Sequence, residues 1–69
     1  MINGPVTRTI YEVRKITHKN KGVIMATEWI HTEFSLKEAR EYCKKRHFPK
    51  SFYFILRKTK SGGRVMYKI

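Results

Sequence analysis

The sequence predicts an α+β fold, a single small domain in which an antiparallel four-stranded sheet carries one helix packed on one face. Three observations predict it. Two segments rich in β-branched and aromatic residues meet at a glycine, a helical segment follows a capping motif, and two further strand-like segments meet at a Gly-Gly pair. A chain of 69 residues has room for one core, so residues 1–69 form a single basic domain with the element order β-β-α-β-β. The order of the strands within the sheet does not follow from the sequence.

The first two strands are predicted at residues 7–17, TRTIYEVRKIT, and at residues 23–33, VIMATEWIHTE. Gly22 supplies the positive φ that a tight hairpin needs. A three-residue loop between the strands places Val13 opposite Trp29. We expect Trp29, the largest apolar side chain, to be mostly buried in the core.

Both faces of this first hairpin are apolar, although the predicted register also places Arg14 opposite Glu28 as an ion pair. Two apolar faces indicate either a surface for a partner, such as a second copy of the chain, or a β-bulge that switches the faces midway. One face carries Ile10, Ile16, Ile24 and Ile30, and the other carries Tyr11, Val13, Met25 and Trp29.

A helix is predicted to begin at Leu36, because Ser35 followed three residues later by Glu38 forms a capping box. Pro49 ends the helix, because the residue before a proline is pushed out of the α region. One face of this helix is apolar and should pack on the sheet, while charged side chains occupy the rest. The apolar face consists of Leu36, Ala39, Cys43 and His47.

The last two strands are predicted within residues 51–60, SFYFILRKTK, and 64–69, RVMYKI, joined by a two-residue turn at Gly62 and Gly63. This turn sorts the side chains into an apolar set, expected in the core, and a basic set with one tyrosine, expected on the solvent face. The apolar set is Phe52, Phe54, Leu56, Val65, Tyr67 and Ile69, and the second set is Tyr53, Ile55, Arg57, Arg64, Met66 and Lys68.

The charge of the chain is strongly one-sided. Sixteen Lys and Arg against five acidic residues, all of them Glu, give a net charge of +11 and a pI of about 10.2. Such an excess implies a polyanionic partner, of which nucleic acid is the commonest. All five glutamates lie between residues 12 and 41, so the last third of the chain is wholly basic. We therefore predict a nucleic-acid-binding protein, for DNA or RNA, with weak sequence preference.

The predicted binding surface combines the last hairpin with the end of the helix, and the tip of the first hairpin adds phosphate contacts. Tyr53 is expected to stack on a base. Arg57 faces Lys68 in the predicted register, and a bound phosphate would relieve the repulsion between these like charges. The predicted nucleic-acid-binding residues are Lys44, Lys45, Arg46, Tyr53, Arg57, Lys58, Lys60, Arg64, Lys68, Lys19 and Lys21.

An alternative function uses the same basic surface. The protein would then be an inhibitor or adaptor that docks on an acidic surface of another protein, with Trp29 or Tyr53 as the anchor. A homodimer is also compatible with the two apolar faces of the first hairpin. Binding to oligonucleotides across a salt series separates the first function from the second, because phosphate contacts make affinity strongly salt-dependent.

The sequence carries no pattern typical of catalysis, a metal site or a cofactor. Cys43 is the single cysteine, so no disulfide forms within the chain, and no paired-cysteine or His-rich spacing accompanies it. We expect no enzyme activity, no metal and no cofactor. The longest apolar run, residues 52–56, is too short to cross a bilayer, and the first ten residues lack the apolar core of a signal peptide. These features predict a cytoplasmic protein without a membrane partner.

Overall fold

The structure, a computed structural model, describes residues 8–69 and confirms the predicted α+β fold with the order β-β-α-β-β. Neighbouring strands are all antiparallel and lie in the order β2-β1-β3-β4, so β2 and β4 form the two edges of the sheet. The predicted start of the first strand at Thr7 falls outside the described residues. The elements are β1 (Ile10–Asn20), β2 (Val23–Glu33), α1 (Leu36–Lys45), β3 (Tyr53–Lys58) and β4 (Arg64–Lys68).

Helix α1 packs on one face of the sheet, which we call the helix-covered face; the opposite side is the open face. Val13 of β1 and Ile55 of β3 are fully buried against Ala39 and Cys43 of the helix. Burial of these side chains contributes to the hydrophobic stabilisation of the domain. Half-buried residues surround this cluster, namely Tyr11, Ile30, Leu36, Tyr42, Phe48, Tyr53, Tyr67 and Ile69.

The two ends of α1 are fixed by local hydrogen bonds. At the start, the Ser35 Oγ accepts a hydrogen bond from the Glu38 N–H at 3.1 Å, which confirms the predicted N-cap. The helix ends at Lys45, ahead of Pro49. His47 adopts a left-handed φ of 55°, and the N–H groups of His47 and Phe48 donate to the carbonyls of Lys44 and Cys43, each at 3.1 Å. This arrangement is a Schellman cap, so His47 lies outside the helix and is exposed, which corrects its predicted place on the apolar face.

The Schellman cap gives a first prediction. A non-glycine residue in the left-handed region is strained, so His47→Gly should raise the free energy of unfolding by about 1 kcal/mol, measured by urea denaturation. The control is Glu41→Gly at an exposed position inside α1, which should lower stability by about 1 kcal/mol. Equal destabilisation by the two variants would contradict this account of the cap.

The first hairpin turns through two residues, where we predicted three. Lys21 and Gly22 have φ values of 53° and 80°, which is the pattern of a type I′ turn, and Asn20 pairs with Val23. The register therefore pairs Arg14 with Trp29, which corrects the predicted partners of both residues. Further corrections are that Val13 pairs with His31 and that Glu28 pairs with Lys15.

A β-bulge in β2 explains the two apolar faces of this hairpin. The register shifts between Val13 and Arg14, whose partners are His31 and Trp29, so Ile30 is the extra residue. Ile30 packs on the core, while Trp29 lies on the open face and is 54% exposed. Of the alternatives offered for the two apolar faces, a β-bulge is present, and the predicted burial of Trp29 is wrong.

The second hairpin turns through residues 60–62, and the predicted two-residue Gly62-Gly63 turn is wrong. Gly62 has a φ of 95°, and its N–H donates to the carbonyl of Thr59 at 3.0 Å. Thr59 pairs with Gly63, whose N–H also donates to the Thr59 Oγ1 at 2.8 Å. A Cβ at position 63 would lie 2.9 Å from that oxygen, so any other residue would have to displace the Thr59 hydroxyl. The loop is thus a β-turn with a bulge, a common three-residue hairpin.

This loop moves β4 by three positions relative to the predicted register, and an odd shift exchanges the faces of a strand. Arg57 pairs with Val65, and Lys68 pairs with Phe54, so Arg57 does not face Lys68 as predicted. Ile55, predicted on the solvent face, is fully buried under the helix. The helix-covered face of this hairpin carries Tyr53, Ile55, Arg57, Val65 and Tyr67, and the open face carries Phe54, Leu56, Lys58, Arg64, Met66 and Lys68.

Candidate nucleic-acid interface

A row of four side chains crosses the open face from one edge of the sheet to the other. Trp29 on β2 pairs with Arg14 on β1, which pairs with Phe54 on β3, which pairs with Lys68 on β4. Directly paired residues share one face of a sheet, so this row alternates aromatic and basic side chains across its whole width. We call it the aromatic-basic row.

The indole ring of Trp29 is held at the surface by a polar contact. Its Nε1–H donates to the Thr32 Oγ1 at 2.8 Å, and 54% of the residue is exposed. Phe54 in the same row is only 9% exposed. The row therefore presents one accessible aromatic ring, with the second ring filling the sheet surface behind it.

A single buried acid organises the cations in the middle of the open face. Glu12 is 8% exposed, and its carboxylate contacts the Arg14 Nη1 at 2.6 Å and the Lys58 Nζ at 3.2 Å. Arg14 is oriented further because its Nε–H donates to the Thr27 Oγ1 at 2.9 Å. The single negative charge of Glu12 therefore balances one of the two positive charges of Arg14 and Lys58. A buried charge needs this kind of pairing to offset the loss of hydration.

Two cations of the open face lie beyond this ion-pair network. Arg64 and Lys68 are both exposed on β4, an edge strand, and neither is among the salt-bridged residues of the described chain. They are four positions apart, which is about 13 Å along a strand. Among the described residues, the open face thus carries four cationic side chains and the single carboxylate of Glu12, so it is electropositive. The four cations are Arg14, Lys58, Arg64 and Lys68.

The predicted binding residues do not form one surface. Lys58, Arg64 and Lys68 lie on the open face, and Lys60 lies in the adjoining loop. Lys19 and Lys21 are exposed at the far tip of the first hairpin, and Lys44, Lys45 and Arg46 are exposed at the end of α1. The remaining two, Tyr53 and Arg57, lie on the helix-covered face.

The positions of Tyr53 and Arg57 correct the predicted stacking surface. The ring of Tyr53 is half-buried and stacks on Phe48, with 4.1 Å between ring centroids and an interplanar angle of 9°. Arg57 pairs with Tyr11 and Val65, and its Nε is buried without a hydrogen-bond partner among residues 8–69. Tyr53 is therefore part of the packing under the helix, whereas Trp29 is an exposed ring of the open face. Phe52, which was predicted in the core, is also 54% exposed; its carbonyl accepts a hydrogen bond from the Ile16 N–H, which places it on the same face as Phe54.

The end of the helix is tied to the sheet by stacked rings. Tyr42 stacks on His31 with 3.8 Å between ring centroids, and the guanidinium of Arg46 lies 3.6 Å from the Tyr42 centroid. A cation over an aromatic face is stabilised by the ring quadrupole. Arg46 therefore has a packing role, while Lys44 and Lys45 extend into solvent.

His31 and Glu33, two residues apart on β2, make a short ion pair beside this stack. The Nε2 of His31 lies 2.6 Å from the Oε2 of Glu33. Hydrogen bonding to His31 is the main reason that the pKa of Glu33 lies below its ordinary value of 4.5. A lowered carboxyl pKa contributes stability above the ordinary value, and that contribution is lost as the pH falls through the lowered pKa.

This sign gives a second prediction. The wild type should be more stable than Glu33→Gln at pH 5.5, and the difference should shrink steadily as the pH is lowered below about 4.5, measured by urea denaturation at each pH. Glu41→Gln, which removes an exposed carboxylate from α1, is the control. A difference that persists unchanged at pH 2 would contradict the proposed role of the ion pair.

Cys43 behaves as a core residue. It is 2% exposed, and burial raises the pKa of its thiol, so the neutral form packs under the helix. Within residues 8–69 no three His, Cys or acidic side chains lie close enough together to hold a metal ion. The same residues contain no helix that is both long and apolar enough to span a membrane.

Comparison with protein families, with curated proteins and with solved structures found no match. The site is therefore defined by its own geometry. Trp29, Arg14 and Glu12 are parts of the open face that were not predicted from the sequence. The spacing of Glu12 and Arg14 indicated the position of Glu12, since residues two apart on a strand share a face.

Proposed function

We propose that this protein binds single-stranded nucleic acid on the open face of its sheet, with weak sequence preference. The observation that carries the proposal is the aromatic-basic row, which joins an accessible indole ring to cations across four strands. Sheet surfaces that bind single strands combine these features, because bases stack on aromatic rings while cations neutralise phosphates.

Trp29 is the proposed stacking platform. A base of a duplex is already stacked on its neighbours, so an exposed ring on a flat sheet suits an unpaired strand. The hydrogen bond from the Trp29 Nε1–H to Thr32 holds the ring in one orientation before the ligand arrives. Less rotational freedom is then lost on binding, which favours affinity.

Arg64 and Lys68 are the proposed phosphate contacts, with Lys58 and the adjoining Lys60 as further cations. β4 lies three strand spacings from β2, or about 14 Å. A nucleic-acid strand with a base stacked on Trp29 can therefore run across the sheet to β4. Lysine and arginine contacts to phosphate carry no sequence information. The chain has two Asn and no Gln, the side chains that recognise adenine edges, which supports weak sequence preference.

Binding of a labelled oligothymidylate across a salt series, followed by fluorescence anisotropy, tests this function. Four phosphate contacts on a single strand predict a slope of about −3 for the logarithm of affinity against the logarithm of salt concentration. A duplex of the same length should bind more weakly at every salt concentration. Absence of binding at low salt, or a preference for the duplex, would overturn the proposal.

A third prediction concerns Trp29. Trp29→Ala should lower oligothymidylate affinity by about 10- to 100-fold, because stacking contributes about 1–3 kcal/mol per base. Its free energy of unfolding should change by less than about 1 kcal/mol, since the side chain is half exposed. Trp29→Phe keeps an aromatic face and should retain most of the affinity. A large loss of stability with little loss of affinity would show that Trp29 serves the core.

Docking on an acidic protein is a second candidate function, favoured by the exposed apolar side chains of the open face. Met66 is 56% exposed and Trp29 is 54% exposed, and a tryptophan surrounded by cations is a common anchor in protein interfaces. The oligonucleotide experiment separates the two functions. A protein that binds neither single strands nor duplex at low salt would be assigned to this second class.

Binding without catalysis, and without a metal or cofactor, remains part of the proposal. The buried free thiol of Cys43 suits a reducing compartment such as the cytoplasm. A net charge of +11 opposes self-association at low salt, so we propose a monomer in the absence of nucleic acid.

A further inference from the structure

A groove on the opposite side of the molecule lies between the end of α1 and the end of β4. It has a volume of about 440 Å³, and its apolar floor is formed by Cys43, Phe48 and Ile69. Four basic or titratable residues line its rim, and no acidic side chain does so within the described chain. The rim residues are Arg40, Lys44, His47 and Lys50.

Three parts of this groove are fixed in place. The guanidinium of Arg40 donates to the backbone carbonyl of Lys68 from Nε at 3.3 Å and from Nη2 at 3.2 Å. The Schellman cap fixes the backbone of His47, and stacking on Tyr53 fixes the ring of Phe48. Arg40 is thus a rim cation that is held in place before an anion binds, which limits the freedom lost on binding.

We propose that this groove binds the terminal phosphate of a nucleic-acid strand together with the adjoining nucleoside. The rim matches the dianionic charge of a terminal phosphate, and the apolar floor suits a sugar and base, which a bare inorganic anion lacks. The volume lies within the range of small-molecule sites, which is roughly 300–1,000 Å³. The inference rests on the proposed function and names the part of the strand that the groove takes.

The groove adjoins the path proposed for the strand. Lys68 ends the aromatic-basic row on the open face, and its backbone carbonyl is held by Arg40 on the groove side. Ile69, the next residue, is part of the groove floor. A nucleic-acid strand that crosses the open face to the β4 edge therefore reaches the groove by passing around the end of β4 at Lys68.

Oligothymidylates that carry a 5′-phosphate, a 3′-phosphate or only hydroxyl ends test this inference. One of the two phosphorylated forms should bind about tenfold more tightly than the hydroxyl form. Lys44→Glu should abolish that gain. The matched control is Lys37→Glu, which makes the same charge change at an exposed position seven residues earlier in α1, about 10 Å along the helix, and outside the groove. The control should keep the gain, and thermal unfolding of both variants shows that they remain folded.

The outcomes separate the inference from the proposed function. If the hydroxyl form binds and a terminal phosphate adds no affinity, the proposed role of the groove is wrong, while the proposed role of the open face is unaffected. An equal loss of the gain in Lys44→Glu and Lys37→Glu would also overturn it, since net charge would explain the effect. If no oligonucleotide binds, the proposed function fails, and thymidine 5′-monophosphate is titrated alone. Saturable binding that is lost in Lys44→Glu would support the groove, and no binding would overturn it.

Discussion

Reversing both charges on the edge strand, Arg64→Glu with Lys68→Glu, is expected to lower the affinity for oligothymidylate by about 100-fold at 0.1 M salt. Each contact between a cationic side chain and a phosphate contributes about 1.5 kcal/mol or more, and two lost contacts give about 3 kcal/mol. Both side chains are exposed, so the fold should be unaffected, and the circular dichroism spectrum should match that of the wild type.

The matched control for this variant is Arg8→Glu with Lys37→Glu, which changes the net charge by the same amount. Arg8 lies 4.0 Å from the ring centroid of Phe34, and Lys37 lies in the first turn of α1; neither belongs to the aromatic-basic row or to the proposed phosphate contacts. The control should lose much less affinity than the open-face variant. Equal losses would show that binding follows net charge, and the open face would then be an ordinary solvated surface.

Ile55→Ala is expected to have the largest effect on stability. Ile55 is fully buried and joins the central strand β3 to the helix in the core, where it contacts the cluster of Val13, Ala39 and Cys43. Removing the buried methyl groups of an isoleucine costs about 2–5 kcal/mol. A domain of this size has little more stability than that, so the variant should be largely unfolded at 37 °C.

Urea denaturation and thermal unfolding measure this effect. Val65→Ala is the control, because Val65 is 39% exposed on the edge strand and should cost less than about 1 kcal/mol. In the sequence-based register these expectations were reversed, since Ile55 was placed in solvent and Val65 in the core. A larger loss of stability in Val65→Ala than in Ile55→Ala would contradict the observed register.

The element order and the first residue of the helix followed from local signals in the sequence. Ser35 and Glu38 marked the beginning of α1, and alternation of apolar residues marked each strand, because capping and half-burial act over a few residues. The end of the helix was harder to predict from the sequence. His47 forms the Schellman cap without the glycine that usually marks one.

The strand registers were not predictable with the same certainty, because each depends on one residue in a turn. The Gly62-Gly63 pair fits a two-residue loop as well as a three-residue loop, and the contact between the Gly63 N–H and Thr59 Oγ1 stabilises the longer one. In the first hairpin, the two-residue turn paired Trp29 with Arg14 in place of Val13 and so placed Trp29 on the open face. Each change exchanged the faces of a strand and so altered the candidate site more than the fold.

Fluorescence of Trp29 during titration with oligothymidylate at low salt tests the central claim most directly. Trp29 is the single tryptophan of the chain, so its emission reports on the open face alone. Stacking of a base on the exposed indole predicts saturable quenching that is reversed when salt releases the strand. Binding detected by anisotropy with no change in Trp29 emission would contradict the claim that the aromatic-basic row holds the nucleic acid.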